Sequence, residues 1–341
     1  MKLAIHHRSG SFSERWVQYC EKNSIPYKVV NCYSSNIIEQ LLDCDGLMWH
    51  WDLNDYKAAL FVRQLTYSVE KMGKKVFPDI KTSWHYDDKV GQKYLMEAAD
   101  VPLVKTYVFY SKVDALKWLD KATFPKVFKL RNGASSSNVQ LIKDKKRAKK
   151  LVNTAFGNGF RGISPFRRLK ERFYILNRDR NLKGLKLFIG GFLRFFIPTK
   201  VEKYSVNEKG YVYFQDFIAN NDYDTRLVVV GDRCCGMTRY CRKGDFRASG
   251  SGLKDYNHEL IDMDCVSIAF STAKKLKTQS VAFDFIKSES EGFQIVEMSY
   301  AFVTENFPGY WDTNFVWHEG EICIQTSMVE DFIHSLNSNI K

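Results

Sequence analysis

The sequence predicts an α/β chain whose lobes mix helices with antiparallel hairpins (α+β lobes). Three observations predict it. The chain opens on a β-α-β-α-β alternation. The stretch FPKVFKLRNGASSSNVQLIKD reads as strand, small-residue loop, strand. Residues 279–302, QSVAFDFIKSESEGFQIVEMSYAF, read as a hairpin that carries two acids.

The opening alternation runs through KLAIHH, a helical segment near Ser13 to Lys22, PYKVVNCY, a helix near Asn36 to Leu42, and GLMWHW. This is the pattern of a small parallel α/β domain, and it ends near Trp84. The loop from His6 to Ser11 joins a strand end to a helix start. Its backbone amides suit an anion, or it is an ordinary cap with Ser11 or Ser13 as N-cap, the commoner outcome. Trp49, His50, Trp51 and Asp52 follow the third strand at its carboxyl end, where ligands tend to bind in such sheets; rim packing explains them equally.

HYDDKVGQKYLMEAADVPLVKTYVF reads as a helix with Asp87 and Asp88 charging its start, leading through Val101-Pro102 into a strand. Lys129 falls in the next strand, and Gly133 to Ser137 offer flexible backbone and hydroxyl donors suited to closing over phosphates. A solvent-exposed hairpin loop has the same composition. Further on, Tyr211 to Ile218 and Thr225 to Val230 read as strands, Gly231-Asp232 as a turn, and Cys234 to Cys241 as the return. The loop Lys243 to Gly252 sets Arg247 among small residues, which suits a guanidinium brought onto a phosphate. A helix from Cys265 to Lys277 leads into the hairpin.

In that hairpin Val281, Phe283 and Phe285 share one face, and Ala282, Asp284 and Ile286 the other. A short loop places Asp284 opposite Val296 or Glu297, about 5 Å between Cβ atoms if directly paired. Two such carboxylates repel, and each is costly to bury. They call for a cation, and Mg²⁺ commonly takes one or two protein carboxylates with phosphate and water completing its shell. A pair of solvated edge-strand acids is the alternative.

The formal net charge is +12 and 15% of residues are aromatic, which favours anionic partners: nucleotides, phosphorylated intermediates, nucleic acid or an acidic membrane. The apolar run in MKLAIHHRSGSF is too short for a signal peptide and no stretch of about 18 apolar residues occurs, so a cytoplasmic protein is the default expectation. The eight cysteines are scattered without a CxxC pair, and free thiols in a reducing compartment are expected.

The order of these parts over residues 85 to 303 resembles an ATP-grasp enzyme. The resemblance implies an ATP-grasp fold with an N-terminal Rossmann-like α/β domain, and ATP and Mg²⁺ as cofactors. It implies three regions: residues 1–84 as the N-terminal domain, 85–213 as the central lobe with a basic insert at 160–203, and 214–341 as the C-terminal lobe with the metal site. HYDDKVGQKYLMEAADVPLVKT looks like the helix whose lysine, Lys89, contacts phosphate, and Lys129 of KVFKL resembles the strand lysine on the α- and β-phosphates. NGASSSNV stands in place of the glycine-rich lid, with Gly133 kept, Ser135 and Ser136 as hydroxyl donors, and serine and asparagine at positions 136 and 138 where glycines are commonest. Gln215, Asp216, Phe217 and Ile218 look like the hinge that holds adenine and ribose, with Asp216 where a glutamate is usual. Asp224 and Arg226 fit the D-x-R step; Arg239 and Arg247 fit the arginines near the γ-phosphate and the acyl phosphate. Asp284 and Glu297 match the magnesium carboxylates, and Ser299 replaces the usual asparagine. QDFIANNDYDTR, GDFRASGSG and FPGYWD are similar to a subgroup associated with bacterial surface-polysaccharide gene clusters.

The activity implied is ATP-dependent carboxylate–amine ligation through an acyl phosphate, with a small-molecule or glycan carboxylate and an amine as substrates. Phosphorylation of a hydroxyl by an ATP-grasp kinase is the alternative. A basic nucleic-acid-binding protein is the remoter one, because the charge is concentrated and no nucleic-acid motif accompanies it. Residues 160–203 hold twelve Lys and Arg against Glu171, Asp179 and Glu202, a net +9. Phenylalanines and leucines interleave with the charge and culminate in LFIGGFLRFF, too short to span a bilayer. Two expectations stand for this insert: peripheral contact with an anionic membrane through Phe192, Phe195 and Phe196, or a basic lining for an acceptor channel.

Overall fold

The computed structural model describes residues 1–52, 55–133, 138–161, 165–193, 197, 207–302 and 306–338, without the side chains of 165, 167, 171, 178 and 179. Ser135 and Ser136 therefore lie outside the described residues, as do Phe195 and Phe196. The chain forms two compact units: Met1–Tyr86 with Gly91–Leu103 and Ile218–Lys341, and Asp87–Val90 with Val104–Phe217.

The first unit begins with β1 (Leu3–Ile5), α1 (Phe12–Lys22), β2 (Tyr27–Val29), α2 (Ile37–Gln40), β3 (Gly46–Met48), α3 (Tyr56–Lys71), β4 (Lys75–Phe77) and α4 (Ile80–Ser83). The four strands form a parallel sheet in the order β2-β1-β3-β4. Leu3, Ala4 and Ile5 are all buried, the continuous apolar run expected of a parallel strand covered on both faces. Ser11 caps α1, its Oγ accepting from the Ser13 N–H at 3.2 Å. The cap reading of the His6–Ser11 loop is what the backbone shows. Phe12, Trp16 and Cys20 recur at helical spacing and bury one face of α1. Trp49 and Trp51 are core residues, packed with Val62, Val76 and Tyr300.

The helix α5 (Lys89–Ala98) follows. The second unit then holds β5 (Thr106–Phe109), α6 (Lys112–Lys121), β6 (Lys126–Lys129), β7 (Val139–Ile142), α7 (Lys145–Ala155), α8 (Pro165–Asp179), α9 (Leu182–Leu193) and β8 (Val212–Asp216). Its sheet is antiparallel in the order β5-β8-β6-β7. Phe128, Leu130, Val212 and Phe214 bury one face of it under Leu119 of α6 and Leu151 of α7. Alternation puts Val127, Lys129, Tyr213 and Gln215 on the opposite face.

The first unit resumes with β9 (Tyr223–Val230), β10 (Arg233–Tyr240), β11 (Lys254–Asp255), α10 (Met263–Leu276), β12 (Ser280–Ser288), β13 (Gly292–Ser299), β14 (Phe307–Trp311), β15 (Trp317–Ile322) and α11 (Ile324–Asn337). The sheet runs β13-β12-β9-β10-β14-β15, with β11 beside β10. One face, Leu227, Val229, Val281, Phe283 and Ile295, packs under Cys265, Val266, Ala269 and Ala273 of α10. The other face is apolar at Val228, Cys235, Met237 and Ala282, where it meets Phe12, Trp16, Met328 and Phe332. Farther along the same strands that face turns charged. All eight cysteines are unbridged.

Candidate active site

The charged end of that face is built by register. β9 pairs with β10 so that Asp224 stands opposite Arg239, and with β12 so that Arg226 stands opposite Asp284. β12 pairs with β13 so that Asp284 stands opposite Glu297 and Ala282 opposite Ser299. The register shifts between Asp284 and Phe285, because Phe285 pairs with Ile295 and Val296 is the extra residue. This bulge resolves the alternative left open by the sequence in favour of Glu297.

Asp284 is 5% exposed. Arg226 grips it with two nitrogens, Nε to Oδ1 at 2.6 Å and Nη2 to Oδ2 at 2.8 Å. Arg239 adds Nη2 to Oδ2 at 2.8 Å while holding Asp224 through Nε at 2.7 Å and Nη2 at 2.6 Å. Burial opposes ionisation of Asp284, but the Arg226 and Arg239 guanidiniums outweigh it and hold the carboxyl below the usual carboxylate range. Burial pushes Asp224 up, and Arg239 draws it back only in part. Arg239 is stabilised as a cation: burial disfavours its charge, and Asp284 and Asp224 more than restore it.

The cation that the paired acids called for is thus, at Asp284, a pair of guanidiniums. Three acids, Asp224, Asp284 and Glu297, face two arginines, which leaves a net −1. Among the described residues no group of three or more His, Cys, Asp or Glu side chains is placed to hold a metal. That donor set suits Mg²⁺ only in its nucleotide-bound form, with one or two carboxylates and the rest phosphate and water. The Ser299 hydroxyl donates to the Ala301 carbonyl at 2.8 Å, so its oxygen lone pairs stay available as a neutral ligand. Arg247 lies in the loop after β10 and pairs through Nε and Nη2 with Asp245, at 2.9 and 2.7 Å.

In the second unit, Lys89 is buried and donates from Nζ to the Gly133 carbonyl at 2.8 Å. Asp87 and Asp88, expected only as charge at a helix start, turn instead to the base of the small-residue loop. Asp87 accepts from the Gly133 N–H at 2.6 Å and Asp88 from Arg131 Nε at 2.8 Å, while the Lys89 N–H donates to the Arg131 carbonyl. Asp87 at φ 52 and Gly133 at φ 128 make the turns that bring these groups together. Lys129 is buried at the end of β6, in register with Tyr213.

In the segment expected to act as the hinge, Gln215 Nε2 donates to Thr106 Oγ1 at 3.1 Å, and Asp216 pairs with Lys126 at 2.6 Å. The β8 strand stops at Asp216, short of the expected Ile218, and the chain passes from one unit to the other between Phe217 and Ile218. Lys126, Arg131 and Asp245 were not singled out from the sequence. Asp245 stands two residues before Arg247 in GDFR, a local signal; Lys126 and Arg131 are recognised only through partners remote in the chain.

No family model matches the chain, and no curated protein does. Its fold matches solved structures over nearly its whole length. One is a RimK domain ATP-grasp protein from Sphaerobacter thermophilus, at 14% identity and TM-score 0.56, covering 98% of this chain and all of that one. Another is the D-cycloserine synthetase DcsG, at 12% identity and TM-score 0.59, with the same coverage. A third is the D-alanine–D-alanine ligase of Bacillus anthracis, at 12% identity and TM-score 0.57, covering 99% and 97%; its complex with ATP also aligns, at 12% identity and TM-score 0.51, covering 88% and 86%. These likenesses establish the ATP-grasp fold that the resemblance implied.

Proposed function

We propose that a chain with this fold and this charged sheet face is an ATP-dependent, ADP-forming carboxylate–amine ligase. The observation that carries the reading is the direct pairing of Asp284 with Glu297, on the face that also holds Asp224, Arg226 and Arg239. In the reaction a substrate carboxylate oxygen attacks the γ-phosphorus of ATP and ADP leaves. An amine then attacks the acyl carbon, phosphate leaves, and the amine gives up a proton. Glu297 and Asp284, with Ser299, would hold Mg²⁺, which when bound neutralises charge on the β- and γ-phosphates.

Arg239 is sealed between two acids, so its part is to position Asp284 and keep it ionised. Arg226 shares that task. Arg247, on a loop of small residues, is assigned to the transferred phosphoryl group. Lys129 and Lys89 are assigned to the ATP phosphates, residues 133–136 to the lid, and the backbone of 215–218 to adenine and ribose. The finer reading, supported by QDFIANNDYDTR and GDFRASGSG, is modification of a surface glycan through a uronic-acid carboxylate and an amino acid or other small amine.

The test follows one oxygen. With ATP, Mg²⁺, an ¹⁸O-carboxyl-labelled uronic acid and an amine, the ligase reading requires ¹⁸O in the released phosphate together with an amide product. Phosphate retained on the acceptor, with no label released, establishes a hydroxyl kinase instead.

A further inference from the structure

The helical hairpin α8–α9 is built to be held firmly on one side and to offer an apolar face on the other. Asn181 caps α9, its Oδ1 accepting from the Gly184 N–H at 2.8 Å. Gly184 and Gly191, two turns apart, let α9 sit close on α8: a Cβ at Gly191 would come within 2.8 Å of Arg172 Cδ, and one at Gly184 within 3.2 Å of Leu176 Cα. Arg172 Nη1 donates to the Leu187 carbonyl at 2.9 Å, and the Phe173 and Phe188 rings meet at 5.8 Å.

At 100° per residue, Leu182, Leu185, Ile189, Phe192 and Leu193 fall in one arc of about 100°, opposite the two buried glycines. These five are 42 to 77% exposed. Lys186 borders one edge of the arc with Lys183 beyond it on the same side, and with Arg172 they line a shallow groove shared with Leu182, Leu187 and Gly190. The surrounding segment, 160–203, carries a net +9 of the chain's +12. No helix among the described residues is long and apolar enough to cross a membrane.

We infer that α9 docks this chain on an anionic lipid surface, its leucines and isoleucine entering the headgroup boundary and its lysines meeting lipid phosphate. An apolar arc alone would suit any partner. Its concentrated positive flank selects a surface with many negative charges, and long lysine stems can lie along the apolar face while their heads reach phosphate. Of the three phenylalanines expected from the sequence, Phe192 lies on this arc together with Leu185, Ile189 and Leu193, and Phe195 and Phe196 lie outside the described residues. The inference goes beyond the ligase reading and does not depend on it.

The test is co-sedimentation with phosphatidylcholine vesicles with and without phosphatidylglycerol, at low and high salt. Binding is expected only with phosphatidylglycerol, and weakened by salt. Lys183→Gln with Lys186→Gln should lower partitioning roughly twenty-five-fold, at about fivefold per basic residue near the surface. Leu185→Ser with Ile189→Ser should abolish it. If the serine variant fails to fold by circular dichroism, the lysine variant decides. Equal binding to both vesicles, binding to neither, or binding indifferent to the lysines overturns the inference. So does a dimer in analytical ultracentrifugation that the serine variant dissolves, since a second copy would then cover the face. MgATP titration of the same variants should match the parent, which keeps a failure here separate from a failure of the ligase reading.

Discussion

Arg226 holds both carboxylate oxygens of Asp284, at 2.6 and 2.8 Å, from the strand directly beside it. Asp284 is buried and Arg226 half-buried, and Asp284 shares Arg239 with Asp224. Losing Asp284 strips Arg226 of the carboxylate that grips it and Arg239 of one of its two, and breaking a buried ion pair by removing one partner costs about 3–5 kcal/mol. Asp284→Asn is therefore expected to lower stability by that order in urea unfolding. Glu297→Gln, on the neighbouring strand and half-buried, should cost less than about 1 kcal/mol. Equal stabilities for Asp284→Asn and the parent would contradict the cluster. Glu297→Gln is accordingly the cleaner probe of metal chemistry, and Asp284→Asn is not the fold-neutral change that a metal ligand alone would make it.

His50 gives a pH signature. Its Nδ1 accepts the Phe12 N–H at 3.1 Å and its ring stacks on Phe12, an arrangement that requires a neutral imidazole. Burial drives its pKa down to about 3, against a raising pull from Asp52 and a lowering push from Arg8. The unfolded chain takes up this proton below about 6.5 and the native chain does not, so stability drops as the pH is lowered through that window, by about 1.4 kcal/mol per unit. Burial lowers His6 as well, which adds a slope of the same sign. His50→Asn keeps an acceptor for the Phe12 N–H and removes the titration. Urea midpoints at about pH 7 and about pH 5 should lie closer together in the variant than in the parent; an unchanged difference would show that His50 is protonated in the native state.

Arg247→Ala separates binding from chemistry. The charge assigned to Arg247 develops as the phosphoryl group moves, so kcat should fall more than ATP affinity. A loss confined to KM for ATP would make Arg247 a ground-state contact.

Features of short range were legible in the sequence. Alternation in SVAFDFI and the turn cluster after it are enough to place Asp284 and Glu297 on one hairpin. KVFKL puts Lys129 on a strand, and the opening alternation marks the parallel sheet. Features set by pairing between distant segments were not. Arg226 and Asp284 are 58 residues apart, Lys126 and Asp216 are 90 apart, and each pair meets only because strand order brings it into register. The acids at 87 and 88 read as helix-starting charge because nothing local reveals Arg131 and Gly133 as their partners. The arc on α9 was partly legible, since its residues follow helical spacing, but which side is seated depends on Gly184 and Gly191 meeting α8.

The proposed nucleotide site is tested most directly by calorimetric titration of ATP into the purified chain, with and without Mg²⁺. One ATP per chain is expected, with a dissociation constant in the range of about 1 μM to 1 mM typical of enzyme substrates. Lys129→Met should weaken binding by about tenfold or more, the loss of one charge-assisted contact. Glu297→Gln should blunt the Mg²⁺ dependence while leaving the fold intact. Absence of ATP binding by the parent chain, or affinities unchanged in both variants, would contradict the assignment of this sheet face and of Lys129 to ATP.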